Sequence, residues 1–230
     1  MPVTKEVGRP GPKNDVIGGV PTLHYLDLKS RGRGQVIRLF WEEAEIAYKD
    51  VRYSLEEFPE FKKTKLGDMN PTETVPVVEL NNIILTQSYA ILRHYARLLD
   101  AYDGDLLSEK YWVDAMCDIA IDWRTLFALA FFSPDSETRY PEHKAGNRAR
   151  FLKALNTHLR RGEHAQGGPF VLGKKITYAD LVIYQICHDE QLTQDGKGGL
   201  REYRRLVQLL DAVETRPNIA RFMTSDRYLG

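Results

Sequence analysis

The sequence predicts two domains, a small α/β domain followed by an all-α domain, and three observations carry that prediction. Strand-like and helix-like stretches alternate between residue 21 and residue 102. Within that stretch two apolar runs are split by Asn81-Asn82, the mark of a tight hairpin. After Asp103-Gly104-Asp105, apolar residues recur at helical spacing and no stretch reads as a strand. The expected organisation is an N-terminal tail over 1–20, a first domain over 21–102 and a helical domain over 103–230.

Each element has its own signal. Thr22 to Leu26 alternates and reads as a strand. Lys29 to Gly34 is a polar, glycine-bearing turn. Val36, Ile37, Leu39, Phe40 and Ala44 then recur at helical spacing, and Tyr48 to Tyr53 is a second strand. A helix crossing between two strands implies a parallel, right-handed pairing. Leu55 to Met69 is irregular or helical. Val75 to Leu80 and Ile83 to Thr86 form the hairpin, and Gln87 to Leu99 returns to helical spacing. The order β-α-β, irregular, β-β-α is the thioredoxin-like arrangement. Further helices are expected over Leu106 to Phe132, Pro141 to Arg161, Thr177 to Leu192, Gly199 to Glu214 and Pro217 to Met223.

Composition narrows the function. Acidic and basic residues balance at 32 each, so no net field draws the chain to nucleic acid or an anionic membrane. No apolar run approaches the ~20 residues of a bilayer span. The first residues lack the apolar stretch of a secretory signal and read as a polar Gly/Pro-rich tail. Cys117 and Cys187 sit in apolar helical patterns and read as buried reduced thiols. Together these features favour the cytoplasm.

Several positions could carry chemistry, and each has a plainer reading. Pro76, in Thr74-Val75-Pro76, stands at a strand mouth. A thioredoxin-like frame makes its peptide bond cis and frees the Val75 N–H and C=O for an extended ligand; the plainer reading is a turn proline. Gln87-Ser88 opens a helix whose N-terminus can receive a carboxylate, and Ser88 equally reads as a simple cap. Tyr25 ends the first strand, where its phenol could donate to a thiolate; with 12 tyrosines in the chain, a rim tyrosine is the alternative. Ser30, in the next turn, could do the same job. No cysteine lies near the first helix, which excludes a dithiol mechanism, no His/Cys/Asp cluster has metal spacing, and the Ser30–Gly34 turn does not match a phosphate cradle. His143, His158, His164 and His188 read as solvated or structural. Thr177-Tyr178-Ala179-Asp180 reads as a capping box, a folding signal.

The succession resembles the cytosolic glutathione transferases over residues 21 to 223, nearest to the tyrosine-using, sigma-like classes. The matching pieces are Leu23-His24-Tyr25-Leu26, the run from Arg31 to Leu39, Phe58-Pro59-Glu60-Phe61-Lys62, Thr74 to Val78, Gln87 to Ile91, and Thr177 to Asp180. The resemblance implies a glutathione-transferase-like fold, glutathione as co-substrate and a homodimer. It implies that Tyr25 donates to the glutathione sulfur and that Val75, with Pro76 cis, pairs with the cysteinyl backbone. Gln87 and Ser88 would hold the γ-glutamyl group. Arg33, Phe58, Lys62 and Thr74 match positions around the ligand, and Asp122 matches an acid that reaches the site of the neighbouring subunit. Two residues more than the family pattern separate Tyr25 from the Arg31-Gly32-Arg33 turn, which leaves Tyr25 and Ser30 both open as the sulfur's partner. Phe58 stands where an indole is common, and Thr74 where longer polar residues are.

The expected activity is transfer of the glutathione thiolate to an apolar electrophile in detoxification, with no metal, nucleic-acid or membrane partner. Phe127, Phe131 and Phe132 are candidates for an apolar wall, or for core. The alternatives are a glutathione-dependent isomerase and a non-catalytic binding or structural protein on the same fold.

Overall fold

The computed structural model describes residues 2–228. The chain divides into two units: one runs to Asp100 and takes in the chain from Arg216 onward, the other is Ala101–Thr215. Among the described residues no helix is long and apolar enough to cross a membrane.

The first unit opens with β1 (Val3–Val7) and α1 (Pro12–Ile17), followed by β2 (Thr22–Leu26), α2 (Gly32–Glu43) and β3 (Tyr48–Tyr53). An irregular stretch comes next, made of α3 (Phe58–Phe61), a π turn over Lys62–Leu66 and α4 (Gly67–Met69). β4 (Val77–Leu80), β5 (Ile83–Thr86) and α5 (Ser88–Leu98) complete the fold. The strands form one sheet in the order β1-β3-β2-β4-β5. β2 and β3 are parallel, with Tyr25 beside Arg52, as the α2 crossover requires. β4 runs antiparallel to β2, and β4 and β5 form the expected hairpin. Asn81 and Asn82 take φ of 50° and 63°, the two left-handed positions of a turn that matches strand twist.

The first residues are not a free tail. β1 pairs antiparallel with β3 and so covers an edge that would otherwise be open. Asn14 secures the segment: its Nδ2 donates to the Ala47 carbonyl at 2.8 Å, and its Oδ1 accepts the Ala47 N–H at 3.0 Å. The polar run Val3-Thr4-Lys5-Glu6-Val7 gave no strand signal because four of its five side chains face solvent.

The second unit holds α6 (Leu107–Phe131), α7 (Ser136–His143), a π turn over Lys144–Arg148, α8 (Ala149–Arg161), α9 (Tyr178–Asp189) and α10 (Arg204–Glu214). The helix expected from Pro141 begins earlier, at Ser136, and carries Pro141 inside it. Glu190, buried just past α9, collects Trp123 Nε1 at 2.7 Å, His143 Nε2 at 2.7 Å and the Tyr140 hydroxyl at 3.2 Å. His143 is therefore a core residue. Cys117 and Cys187 are buried thiols, and burial pushes the Cys187 thiol up from its ordinary value.

The last helix, α11 (Pro217–Met223), does not belong to the helical unit, contrary to the expected span 103–230. Arg216 Nε donates to Glu43 at 2.9 Å and Asn218 Nδ2 to the Glu43 carbonyl at 3.0 Å, both at the end of α2. Arg227 makes a forked pair with Glu42 at 2.9 and 2.8 Å.

At the start of α9, Asp180 accepts the Val171 N–H at 2.8 Å, the Thr177 N–H at 2.7 Å and the Thr177 hydroxyl at 2.8 Å. One carboxylate thus fixes both the helix start and the preceding turn. Asp180→Ala strands two buried amide donors and is expected to lower unfolding free energy by about 2–4 kcal/mol. Denaturant titration checks this; a loss well under 1 kcal/mol would contradict it.

Candidate functional site

Tyr25, the penultimate residue of β2, sets its ring against the start of α2. Two glycines make room for it. A Cβ on Gly32 would stand 2.5 Å from the phenol oxygen, and one on Gly34 would stand 2.4 Å from two ring atoms. Gly32 also holds φ of 81°, which favours glycine. The close approach lets the Arg33 N–H donate to the Tyr25 hydroxyl oxygen at 2.9 Å. An amide donor on a phenol oxygen polarises the O–H and makes it a stronger donor toward an anion. The Arg33 side chain reaches the other way, its guanidinium carbon 5.8 Å from the Tyr89 ring centre. Tyr89 follows Ser88 at the start of α5, so Arg33 links the Tyr25 turn to that helix end.

Ser30 is buried to 0% exposure in the turn before α2. Tyr25 is also buried, at 6%, and sits against the start of α2, where Gly32 and Gly34 have no Cβ to crowd its ring.

The Val75-Pro76 peptide bond is cis. The β2–β4 ladder ends at His24 and Val77, so Tyr25 and Pro76 are the next positions along the two strands. Among the described residues neither the Val75 N–H nor its C=O has a backbone partner, which leaves both for an added extended segment. The preceding loop is tied by Asn70, whose Nδ2 donates to the Thr74 carbonyl at 2.7 Å. Phe58 and Val75 pack on one cluster with Val51, Tyr53, Phe61, Leu66 and Val77. Lys62 pairs with Glu73 at 3.4 Å, both exposed.

Gln87, not Ser88, is the cap of α5, and no side chain caps it. Gln87 holds φ 67° and ψ 98°, a conformation costly for a side-chain-bearing residue. Ser88 is the first helical residue, buried, beside first-turn amides that can receive a carboxylate. The expectation that Ser88 caps the helix is thus corrected. Asp122 lies in the other unit, on the exposed side of α6, while its neighbours Trp123 and Arg124 turn inward. Phe127 is core, 6.0 Å from the Tyr140 ring, whereas Phe132 is exposed.

Sequence reading missed the charged layer under Tyr25. Arg38 is fully buried on α2, its guanidinium carbon 5.8 Å from the Tyr25 ring centre. Its Nε and Nη2 bind Asp50 at 3.0 and 2.9 Å, and Arg52 Nε binds the same carboxylate at 2.7 Å. The available signal was Asp50 and Arg52 two apart on β3, which puts both charges on one sheet face. His24, on the opposite face, stacks on Phe61 at 5.8 Å and shares a 2.9 Å hydrogen bond with the Tyr53 hydroxyl. Burial lowers the His24 pKa, against the opposing pull of Glu79 at 3.8 Å. Burial also pushes the Tyr53 phenol up to about 12.

Two outcomes follow. Gly34→Ala must displace the Tyr25 ring and is expected to cost about 1–3 kcal/mol of stability; an unchanged denaturation midpoint would contradict the packing. For His24 the folded value lies below the unfolded one, ~6.5, so its contribution is full above that value and is lost as pH falls through the folded value. His24→Phe keeps the stack without titrating. Between about pH 7 and pH 5 it should lose less stability than wild type, and parallel profiles would refute the assignment.

Comparison with known proteins gives the chain its relatives. Residues 21–97 match the family described as "Glutathione S-transferase, N-terminal domain", and residues 121–226 match "Glutathione S-transferase, C-terminal domain". The chain is 29% identical to Glutathione S-transferase Mu 2 of Rattus norvegicus, over 90% of this chain and 92% of the relative. It is 32% identical to Hematopoietic prostaglandin D synthase of Gallus gallus, over 86% and 92%. Among solved structures it is similar to rat hPGDS complexed with a quinoline, with a TM-score of 0.73, 29% identity and coverage of 88% and 95%.

Proposed function

Because the chain belongs to the glutathione S-transferase family, we propose that it activates the glutathione thiol at Tyr25 and transfers the thiolate to an electrophilic small molecule. The observation that carries this reading is the Arg33 amide seated on the Tyr25 phenol oxygen at 2.9 Å. A free thiol has a pKa of ~8.5, so only a few per cent is thiolate at neutral pH. A hydrogen bond from Tyr25 to the sulfur favours the anion. A fall of about two units corresponds to about 2.7 kcal/mol of preferential stabilisation.

The remaining groups suit the rest of the tripeptide. The Val75 backbone, outside the β2–β4 ladder, pairs with the cysteinyl residue. Gln87, Ser88 and the first-turn amides of α5 hold the γ-glutamyl carboxylate. Arg33, Phe58, Lys62 and Thr74 flank the ligand. Phe58 cannot make the hydrogen bond that an indole would give the ligand carboxylate, since a phenyl ring has no donor. The active form is a homodimer in which the exposed Asp122 of one subunit reaches the γ-glutamyl amine held by the other. The protein acts in the cytoplasm, in detoxification, with glutathione as co-substrate and without a metal, a nucleic acid or a membrane.

A second reading keeps the same thiolate but returns it unchanged, as a glutathione-dependent isomerase. The identity to a hematopoietic prostaglandin D synthase makes a prostaglandin precursor the substrate to test.

The experiment is conjugation of glutathione to a generic aryl halide by wild type, Tyr25→Phe and Ser30→Ala. Tyr25→Phe should lower kcat/KM by about 10²-fold or more, while Ser30→Ala stays near wild type. The reverse ranking would transfer the role to Ser30. Glutathione binding without turnover of any electrophile would sink the transferase reading.

A further inference from the structure

The loop from Tyr25 to α2, longer by two residues than the resemblance to the family implies, is held in part by Arg52. Arg52 Nη1 donates to Asp27 Oδ1 at 3.3 Å and to the Lys29 carbonyl at 3.2 Å. The same guanidinium binds Asp50 through Nε at 2.7 Å, and Asp50 in turn is held by Arg38. Arg52 is the register neighbour of Tyr25 on one side and of Val3 on the other. β1 therefore covers the flank of Arg52, which is only 7% exposed. A buried guanidinium keeps its fork geometry only while each arm has an acceptor. Here one arm is anchored to the sheet and the other to the loop.

We propose that Arg52 is a positioning residue for thiol activation: with Asp27 it clamps the lengthened loop so that the Arg33 amide stays on the Tyr25 hydroxyl. The loop starts at the strand that carries Tyr25 and ends at the helix turn that supplies Arg33. The Asp27 N–H also donates to the Tyr53 carbonyl at 2.8 Å, which fixes the start of the loop, and the Arg52 contacts to the Asp27 side chain and the Lys29 carbonyl extend that hold toward the Arg33 turn. Arg52 touches no reacting atom. It acts through the loop, and the inference rests on the reading of Tyr25 as the group that faces the sulfur.

The test compares wild type, Tyr25→Phe, Asp27→Ala, Arg52→Lys and the Tyr25→Phe/Asp27→Ala double variant. Its readouts are melting temperature, KM for glutathione, kcat, and the pH profile of kcat/KM with an aryl halide. The Asp27 side chain is 41% exposed, so Asp27→Ala keeps the fold and decides the matter even if Arg52→Lys does not. Both single clamp variants should lower kcat about tenfold with little change in KM, because a small misplacement at a reacting centre is paid in rate. Both should also move the ascending limb of the pH profile up toward the free thiol value, ~8.5. In the Tyr25→Phe background Asp27→Ala should add nothing further. A melting shift with an unchanged pH profile and kcat, beside a Tyr25→Phe variant that loses activity, overturns the clamp and leaves the Tyr25 reading standing. A Tyr25→Phe variant with the wild-type profile overturns both.

Discussion

The first unit depends on the Asp50 carboxylate, which is shared between two arginines. Asp50 lies on β3, Arg38 on α2 and Arg52 two residues further along β3, all three nearly without exposure. The triad ties the crossover helix to the strand pair it spans. Removing one partner of such a buried group costs about 3–5 kcal/mol, because a charge is left inside without compensation. An apolar trio could fill the same volume, but it could not direct Nη1 of Arg52 at a loop carbonyl. The charged layer therefore fixes where the chain goes after Tyr25 as well as how the layers pack.

Above that layer the site is made mostly of backbone. Arg33 offers its amide to the Tyr25 oxygen, Val75 leaves its peptide groups outside the sheet ladder, and α5 presents its first turn. Backbone donors of this kind are positioned by the fold and need no side-chain ordering when a ligand arrives. The glycines at 32 and 34 belong to the same design, since a methyl group at either would enter the space of Tyr25. A glutathione S-transferase asks for one polarised hydroxyl and an extended docking edge, and this unit supplies candidates for both.

Much of this was legible in the sequence, for reasons that name themselves. Asn81-Asn82 announced the hairpin because both residues tolerate positive φ, and the α2 spacing announced the crossover. What stayed hidden has a common physical cause: it is set by contacts distant in sequence. β1 is too polar to read as a strand and exists because β3 has an edge to fill and Asn14 can bind Ala47. Residues from Arg216 onward return to α2 through Glu43, some 173 positions away. Ser88 looked like a cap by type, yet the chain enters α5 through a strained Gln87 instead. Among the candidate site residues, Tyr25, Arg33 and the Val75-Pro76 step were marked by local motif, whereas the Arg38–Asp50–Arg52 layer that supports them was not.

The most direct measurement is a crystal structure of the full chain with glutathione bound. The sulfur should lie within about 3.5 Å of the Tyr25 hydroxyl, with the cysteinyl backbone paired to Val75 and the γ-glutamyl carboxylate at Ser88. A sulfur on Ser30, or a tripeptide seated away from the Val75 edge, would contradict the account.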